Sequence, residues 1–272
     1  MKLRVLLYCL LGGLPMLVPA MGAGHLGWWY LSGVVMASAF VPIALFGPRK
    51  LLAQFGVIAL TLLIVSELCT LSEAYFFFPK YHQQVLRDLA GATVMYLIVA
   101  LVLAVLATVL KLNRQSEHMV QHRRILGVLA MVLLSGFAYV LYYLVFGGIT
   151  YQFFTKAYYP EGPQLVAQAG LWFWVIQLGR GVLMTLAVLP AIYTLRMSRM
   201  QSAIAIGALI WIAGGLAPLL IPNSLFGSTQ RIIHIVEIFT QNVPLGITAV
   251  LLLRPKQKKA SPQTGLAVAA IS

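Results

Sequence analysis

Residues 89–110 read LAGATVMYLIVALVLAVLATVL, a run of 22 positions without a charged side chain. A helix needs about 20 apolar residues to cross the hydrocarbon core of a bilayer, so this stretch predicts a transmembrane helix. It lacks the polar residue at every second position that faces the lumen of a transmembrane β-barrel. A helix is therefore the spanning structure that the stretch predicts.

The rest of the chain repeats this pattern. Of its 272 residues, 61% are hydrophobic and 9% are charged, whereas soluble domains carry about 25% charged residues. We therefore predict an all-α integral membrane protein with eight transmembrane helices in one polytopic domain, residues 1–253, and no separate soluble catalytic domain. The predicted segments lie near 3–21, 27–46, 51–71, 89–110, 125–146, 168–195, 203–222 and 232–253.

The basic residues predict how the segments are oriented. Fourteen of the 19 Lys and Arg residues fall at one set of alternate segment ends. By the positive-inside rule, both termini are expected in the cytoplasm, with residues 254–272 as a disordered basic tail and the cell (plasma or inner) membrane as the location. The net charge of +13 then indicates topology and attraction to anionic membrane lipid, and nucleic acid is not an expected partner.

The first segment has a second interpretation. Lys2 and Arg4 precede a short apolar stretch that is interrupted by Pro15 and Pro19, as in a cleavable signal peptide. Cleavage would leave seven helices. Retention is favoured because the next segment starts at Gly27, which would leave a mature chain almost no hydrophilic lead.

A short sequence match suggests an internal repeat. Gly33-Val-Val-Met36, followed by Pro42, corresponds to Gly181-Val-Leu-Met184, followed by Pro190, at an offset of 148 residues. An even number of helices in each half preserves orientation, so the match predicts a parallel 4+4 duplication of the kind found in some transporters. Chance similarity between two apolar helices is the alternative.

Polar side chains are rare inside the segments and group on a few helix faces. On the eighth segment, Arg231, His234, Glu237 and Gln241 fall within an arc of about 120°. Pro244 follows them in mid-helix, where it predicts a kink because it removes one backbone amide donor.

Two other segments contribute to the same predicted region. Gln177 and Arg180 lie one turn apart on the sixth segment, and Glu67 lies on the third. Helical side chains lean towards the N-terminus of their own helix, so these side chains are expected to converge with Glu237 in the outer half of the membrane.

The cluster has two interpretations that stay open at this point. Ionisable groups at membrane depth generally mark ligand sites or ion pathways. Two arginines and two glutamates also sum to zero charge, so they could form structural ion pairs between helices. The residues predicted to bind a ligand or ion are Arg180, Glu237, His234, Glu67, Arg231, Gln177 and Gln241.

Several kinds of site are not expected. There is no G-x-x-x-x-G-K-[ST] motif, and no cofactor is predicted. No metal site is predicted either, because Glu117, His118 and His122 have helical spacing but lie in a basic linker. Ser224 and Ser228 are interpreted as turn residues and not as protease nucleophiles.

Three functions fit this pattern, and catalytic residues stay unassigned. The favoured one is a secondary transporter or permease for a small or anionic solute, in which Arg180 binds the anion and Glu237 with His234 carries a proton. The second is a subunit or assembly factor of a membrane complex with protein partners in the membrane. The third, an enzyme for a lipid-linked substrate, would use Arg180 and Arg231 to hold a phosphate.

Overall fold

The computed structural model describes residues 1–77, 85–114, 124–223 and 225–255. These residues are predominantly helical and contain no strand, which confirms the all-α prediction for this part of the chain. Within these described ranges, eight helices are long and apolar enough to cross a membrane, the number predicted. In chain order they are α1 (Lys2–Gly22), α2 (Leu26–Phe46), α3 (Leu51–Phe77), α4 (Val85–Val109), α5 (Ile125–Thr155), α6 (Leu171–Thr194), α7 (Arg199–Leu220) and α8 (Ser228–Leu253).

Some predicted features lie outside the described residues. They are residues 256–272 of the tail, the linker with Glu117, His118 and His122, and Ser224. We call the end of the bundle where α1, α3, α5 and α7 finish the distal end. The opposite, proximal end holds the N-terminus and the end of α8.

Two helices continue beyond the predicted segment ends. The helix α3 runs to Phe77 and not to residue 71, because Ser72 and Glu73 neither break a helix nor cap one at this point. The helix α5 runs to Thr155, with Gly147 and Gly148 inside it. The longer α3 places Glu73 within the bundle, where it becomes part of the site described below.

The helices form two groups of four. In the first group, α1 packs against α2 and α4, and α3 packs against α4. In the second, α5 packs against α6 and α8, and α7 packs against α8. The groups meet where α2 contacts α7, where α3 contacts α6, and where α3 contacts α7.

Four stretches of the helices are π-helical, with one more residue per turn than their flanks. They are Leu62–Leu68 on α3, Tyr143–Gly147 and Tyr151–Thr155 on α5, and Ile212–Leu216 on α7. The π-helical stretches of α3 and α7 contact each other at the junction of the two groups. Such stretches occur frequently at functional sites and re-aim the side chains that follow them.

Glycines allow the closest helix contacts. A Cβ added at Gly246 of α8 would lie 2.5 Å from the Cα of Gly207 on α7. A Cβ at Gly181 of α6 would lie 3.0 Å from the Cα of Gly136 on α5. Small residues drive such association because lipid tails are as apolar as leucine and supply no hydrophobic force between helices.

We expect Gly246→Ala to destabilise the protein, by about 1–3 kcal/mol, because the new methyl group meets backbone that can move only if α7 and α8 separate. The matched control is Gly56→Ala on α3, where a Cβ would meet no atom within 4 Å. Thermal unfolding in detergent would compare the two variants. Equal losses would contradict the importance of this contact.

Candidate functional site

The centre of the site is a buried arginine on α6. Arg180 is 8% exposed, and its Nη1 donates hydrogen bonds to Glu73 Oε1 at 2.6 Å and to Gln177 Oε1 at 2.8 Å. Glu73 comes from α3, near its distal end, and its side chain is 30% exposed. Arg180 lies about 13 Å along α6 at 1.5 Å per residue, so its side chain must extend towards the distal end to reach Glu73.

The other nitrogens of the Arg180 guanidinium have fewer hydrogen-bond partners than Nη1. Its Nε is buried and has no hydrogen-bond partner among the described residues. The guanidinium carbon lies 5.7 Å from the ring centre of Tyr139 on α5, a distance at which the ring attracts a cation. The Cys69 thiol lies beside the same group. Arg180 is therefore paired with one carboxylate through one nitrogen, without the bidentate geometry that a guanidinium allows.

A second polar group lies on α8. His234 Nδ1 is 3.0 Å from Glu237 Oε2, and Gln241 Nε2 donates to Glu237 Oε1 at 3.3 Å. The His234 ring packs between Phe226 and Tyr159, with ring centres 4.8 and 6.0 Å away, and its Nε2 is buried without a hydrogen-bond partner among the described residues. Three of the four predicted polar residues of α8 therefore form one hydrogen-bonded row.

Tyr159, in the connection after α5, lies close enough to this group for its pKa to be affected by Glu237. Burial, and then the Glu237 carboxylate, raise the pKa of Tyr159 to about 12. The phenol therefore keeps its proton at neutral pH beside the carboxylate. A Cβ at Gly147 would lie 3.6 Å from Glu237 Oε1, an ordinary contact distance, so α5 passes directly beside the carboxylate.

Arg180 on α6 and the polar row on α8 both lie on helices that pack against α5. Tyr139 and Tyr143 each interact electrostatically with Arg180, Glu73 and Glu237. The tyrosines therefore connect the Arg180 ion pair to the α8 row. We call these residues the central site: Glu73, Gln177, Arg180, His234, Glu237, Gln241, Tyr139 and Tyr143.

Glu67 is the predicted residue that the structure places elsewhere. It lies on the π-helical stretch of α3, is 2% exposed, and faces Thr93 of α4. Neither of its carboxyl oxygens has a hydrogen-bond partner at suitable distance and angle among the described residues. Arg180 is paired with Glu73 instead, so Glu67 is a separate buried carboxyl.

Two further predicted residues lie along α8. Arg231 is near the start of the helix, and its Nη1 is buried without a partner among the described residues. Pro244 lies inside α8, which continues to Leu253. Thr240, whose carbonyl the proline frees, uses its hydroxyl to donate to the Glu237 carbonyl at 2.7 Å.

Glu73, Tyr139 and Tyr143 are site residues that the sequence alone did not identify. Glu73 was placed beyond the end of the third segment. Tyr139 and Tyr143 fall inside the predicted fifth segment as uncharged aromatic residues, and nothing in the sequence distinguishes them from packing residues. The signal that could have found Glu73 is its position six residues after Glu67, on an acidic stretch with no helix-breaking residue.

A pocket of about 430 Å³ lies beside the central site and not within it. It is mainly apolar and is lined by Leu68, Leu71, Ser72, Tyr75, Phe76, Leu89 and Ile176. None of the ion-paired side chains lines it, so the polar chemistry and this pocket are separate features.

The described residues contain no group of three or more His, Cys, Asp or Glu side chains arranged to hold a metal ion. Comparisons with protein families, with curated proteins and with solved structures give no match to this chain. The function therefore has to be argued from the site.

We expect Glu73→Gln to lower the thermal stability because it leaves the buried Arg180 without a counter-charge. Breaking a fully buried pair costs roughly 3–5 kcal/mol, and the partial exposure of Glu73 reduces the expected loss to about 1–3 kcal/mol. Thermal unfolding in detergent is the measurement, with Glu161→Gln at an exposed position as the control.

The same thermal-unfolding measurement on Arg180→Leu, alone and combined with Glu73→Gln, tests whether the two residues act as a pair. If the two residues act as a pair, Glu73→Gln costs little in the Arg180→Leu background. A Glu73→Gln protein that unfolds at the wild-type temperature would contradict the coupling.

Proposed function

We propose that the protein is a secondary transporter or permease for a small anionic solute, linked to proton movement. The observation that carries the proposal is Arg180, a buried cation at the junction of the two helix groups. It is held by one carboxylate through one nitrogen. Intramembrane ionisable groups of this kind are costly and generally serve a ligand or ion pathway.

On binding, the anionic group of the solute would replace the Glu73 carboxylate as the partner of Arg180. The side chain of Glu73 is partly exposed and can leave, while Arg180 stays anchored by Gln177. A carboxylate or phosphate of the solute would then bind the guanidinium, with Nε available as a second donor. Because solute and Glu73 compete for the same cation, the charge of the site is balanced before and after binding.

Proton linkage would use the α8 row. An imidazole beside a carboxylate can hold and release a proton, and the His234–Glu237 pair has this form. Tyr139 and Tyr143 are each within electrostatic range of Glu237 and of Arg180, so we expect a change of charge at the His234–Glu237 pair to act on the Arg180 ion pair.

The proposal includes a parallel 4+4 repeat, which several structural features support. Under an offset of 148 residues, the end of α2 at Phe46 corresponds to the end of α6 at Thr194, and the start of α3 to the start of α7. The contact of α1 with α2 corresponds to that of α5 with α6, and the contact of α3 with α4 to that of α7 with α8. The contact of α2 with α7 corresponds to that of α6 with α3.

The close contacts follow this correspondence on α2 and α6. A Cβ at Gly33 would lie 2.8 Å from Gly13 Cα in the α1–α2 pair, and a Cβ at Gly181 would lie 3.0 Å from Gly136 Cα in the α5–α6 pair. Gly13 and Gly136 are not related by 148 residues, so α1 and α5 correspond in their place in the bundle and not at this offset. The contacting π-helical stretches of α3 and α7 would be equivalent to each other. Substrate sites of transporters with internal repeats lie at the interface between repeats, where Arg180 of α6 meets Glu73 of α3.

Transport in proteoliposomes tests the proposal. The probes are radiolabelled lactate, succinate and inorganic phosphate, each with and without an imposed pH gradient. We expect one class of anion to enter, and Arg180→Gln to reduce its uptake at least tenfold through loss of charge-assisted hydrogen bonds. Glu237→Gln should remove the dependence on the pH gradient, and Glu161→Gln is the control. Failure of all three anions to enter, or full uptake by Arg180→Gln, would contradict the proposal.

The proposal places the protein in the cell membrane with both termini in the cytoplasm. Single cysteines at Lys50 and Glu161, introduced into a Cys9→Ser, Cys69→Ser background, occupy exposed positions at the proximal and distal ends. In intact cells we expect a membrane-impermeant maleimide to label Glu161→Cys and to leave Lys50→Cys unlabelled until the membrane is opened. The opposite pattern would reverse the topology.

A further inference from the structure

Two arginines meet at the proximal end of the bundle, between α7 and α8. Arg254 follows α8 directly, is 6% exposed, and donates hydrogen bonds to Ser202 Oγ and to the Met197 carbonyl, the latter at 3.0 Å. Arg199 is the first residue of α7 and donates to the carbonyl of Leu251 near the end of α8. Each guanidinium is thus held in place by protein groups.

Neither arginine has a counter-charge in the described part of the chain. The acceptors of both are a hydroxyl and backbone carbonyls, which are neutral, and no described carboxylate lies within ion-pair distance of either. Arg199 Nε is buried and has no hydrogen-bond partner there. Glu117, in the linker at this end, lies outside the described residues.

The helix dipoles of α7 and α8 do not provide a net negative charge to balance the two arginines. The end of α8 contributes roughly half a negative charge, but the start of α7 contributes roughly half a positive one. Burial and the nearby Arg199 lower the pKa of Arg254, a sign that the two cations repel each other. The pair therefore retains close to two uncompensated positive charges.

The surface next to the pair is apolar. Met200 and Ile204 lie one turn apart on α7, and each is 59% exposed. A molecule with an anionic group at the arginines would have an apolar path along α7 for a hydrocarbon chain. This combination of two arginines between helix ends and an adjoining apolar helix face at a membrane boundary is typical of a lipid headgroup site.

We propose that Arg199 and Arg254 bind a phosphate group at the proximal end, supplied by the headgroup of an anionic phospholipid. The planar guanidinium forks suit phosphate oxygens, and Arg199 carries a buried Nε donor that no described group satisfies. The lipid chain lies along Met200 and Ile204. Arg254 lies 13 residues, about 20 Å along the axis of α8, beyond Gln241 of the central site, and the lipid site does not depend on the proposed transport function.

Lipid binding to the delipidated protein in neutral detergent tests the proposal. The probes are dioleoyl phosphatidylglycerol, dioleoyl phosphatidylcholine and inorganic phosphate, followed by native mass spectrometry and by the thermal unfolding midpoint. We expect phosphatidylglycerol to bind and to raise the midpoint above the effect of phosphatidylcholine. An equal rise with inorganic phosphate alone would identify free phosphate as the ligand and overturn the lipid assignment.

Arg199→Gln separates a specific site from general attraction to the basic end. We expect it to weaken phosphatidylglycerol binding about tenfold, the effect of one charge-assisted hydrogen-bonding group. Arg4→Gln removes the same charge from an exposed position at the same end and should leave binding within about twofold of wild type. Arg254→Gln is a second test variant. Because Arg254 is buried, its binding result counts only if the variant unfolds at a temperature near that of the wild type.

Two results would overturn the proposal. Equal weakening by Arg199→Gln and Arg4→Gln would show a diffuse electrostatic attraction without a built site. Identical binding of phosphatidylglycerol and phosphatidylcholine by the wild type would show that the two arginines do not select an anion.

Discussion

Close backbone contact between helices is the constraint on which this bundle depends. Apolar side chains gain little by leaving lipid for a protein interior, so helices of this composition need contacts that lipid cannot match. Paired glycines provide such contacts between α1 and α2, α5 and α6, and α7 and α8. The contact at Gly181 also determines the surroundings of the preceding residue, Arg180. Because α5 approaches α6 this closely, the Tyr139 ring lies against the Arg180 guanidinium.

The number and approximate limits of the helices follow from the sequence because they depend on composition, which is local. Which residues meet inside the bundle depends on how each helix is rotated, and that is decided by packing. Glu67 and Glu73 illustrate the difference. Six residues at about 100° each separate their directions by about 120°, so only one of them can face α6. Nothing in the sequence of α3 alone decides which.

The π-helical stretch Leu62–Leu68 is a second reason why the sequence does not show which side chains of α3 face α6. A π-helical turn contains an extra residue, so side chains beyond it point in directions that a regular period of 3.6 residues does not predict. Glu73 follows this stretch on α3, and Tyr143 begins another on α5. The predicted row on α8, where no such stretch intervenes, is the part of the site that the structure brings together as a hydrogen-bonded set.

The proposed repeat makes the position of Arg180 informative. At an offset of 148 residues, Arg180 corresponds to Ser32 of α2, and each reaches across to the other group of four helices. Ser32 Oγ donates to the Ala217 carbonyl at 2.7 Å, whereas Arg180 forms an ion pair with Glu73.

The neutral hydrogen bond at Ser32 does not respond to the charge of a solute or to pH, but the ion pair responds to both. In the proposed repeat, the contact at Arg180 differs from the contact at Ser32 because an anion could compete with Glu73 for the arginine. The contact at Ser32 would then persist as the fixed side of any movement between the halves. A transporter built from two like halves needs this kind of difference, because a ligand can shift a conformational equilibrium only through contacts that differ in free energy between the two states.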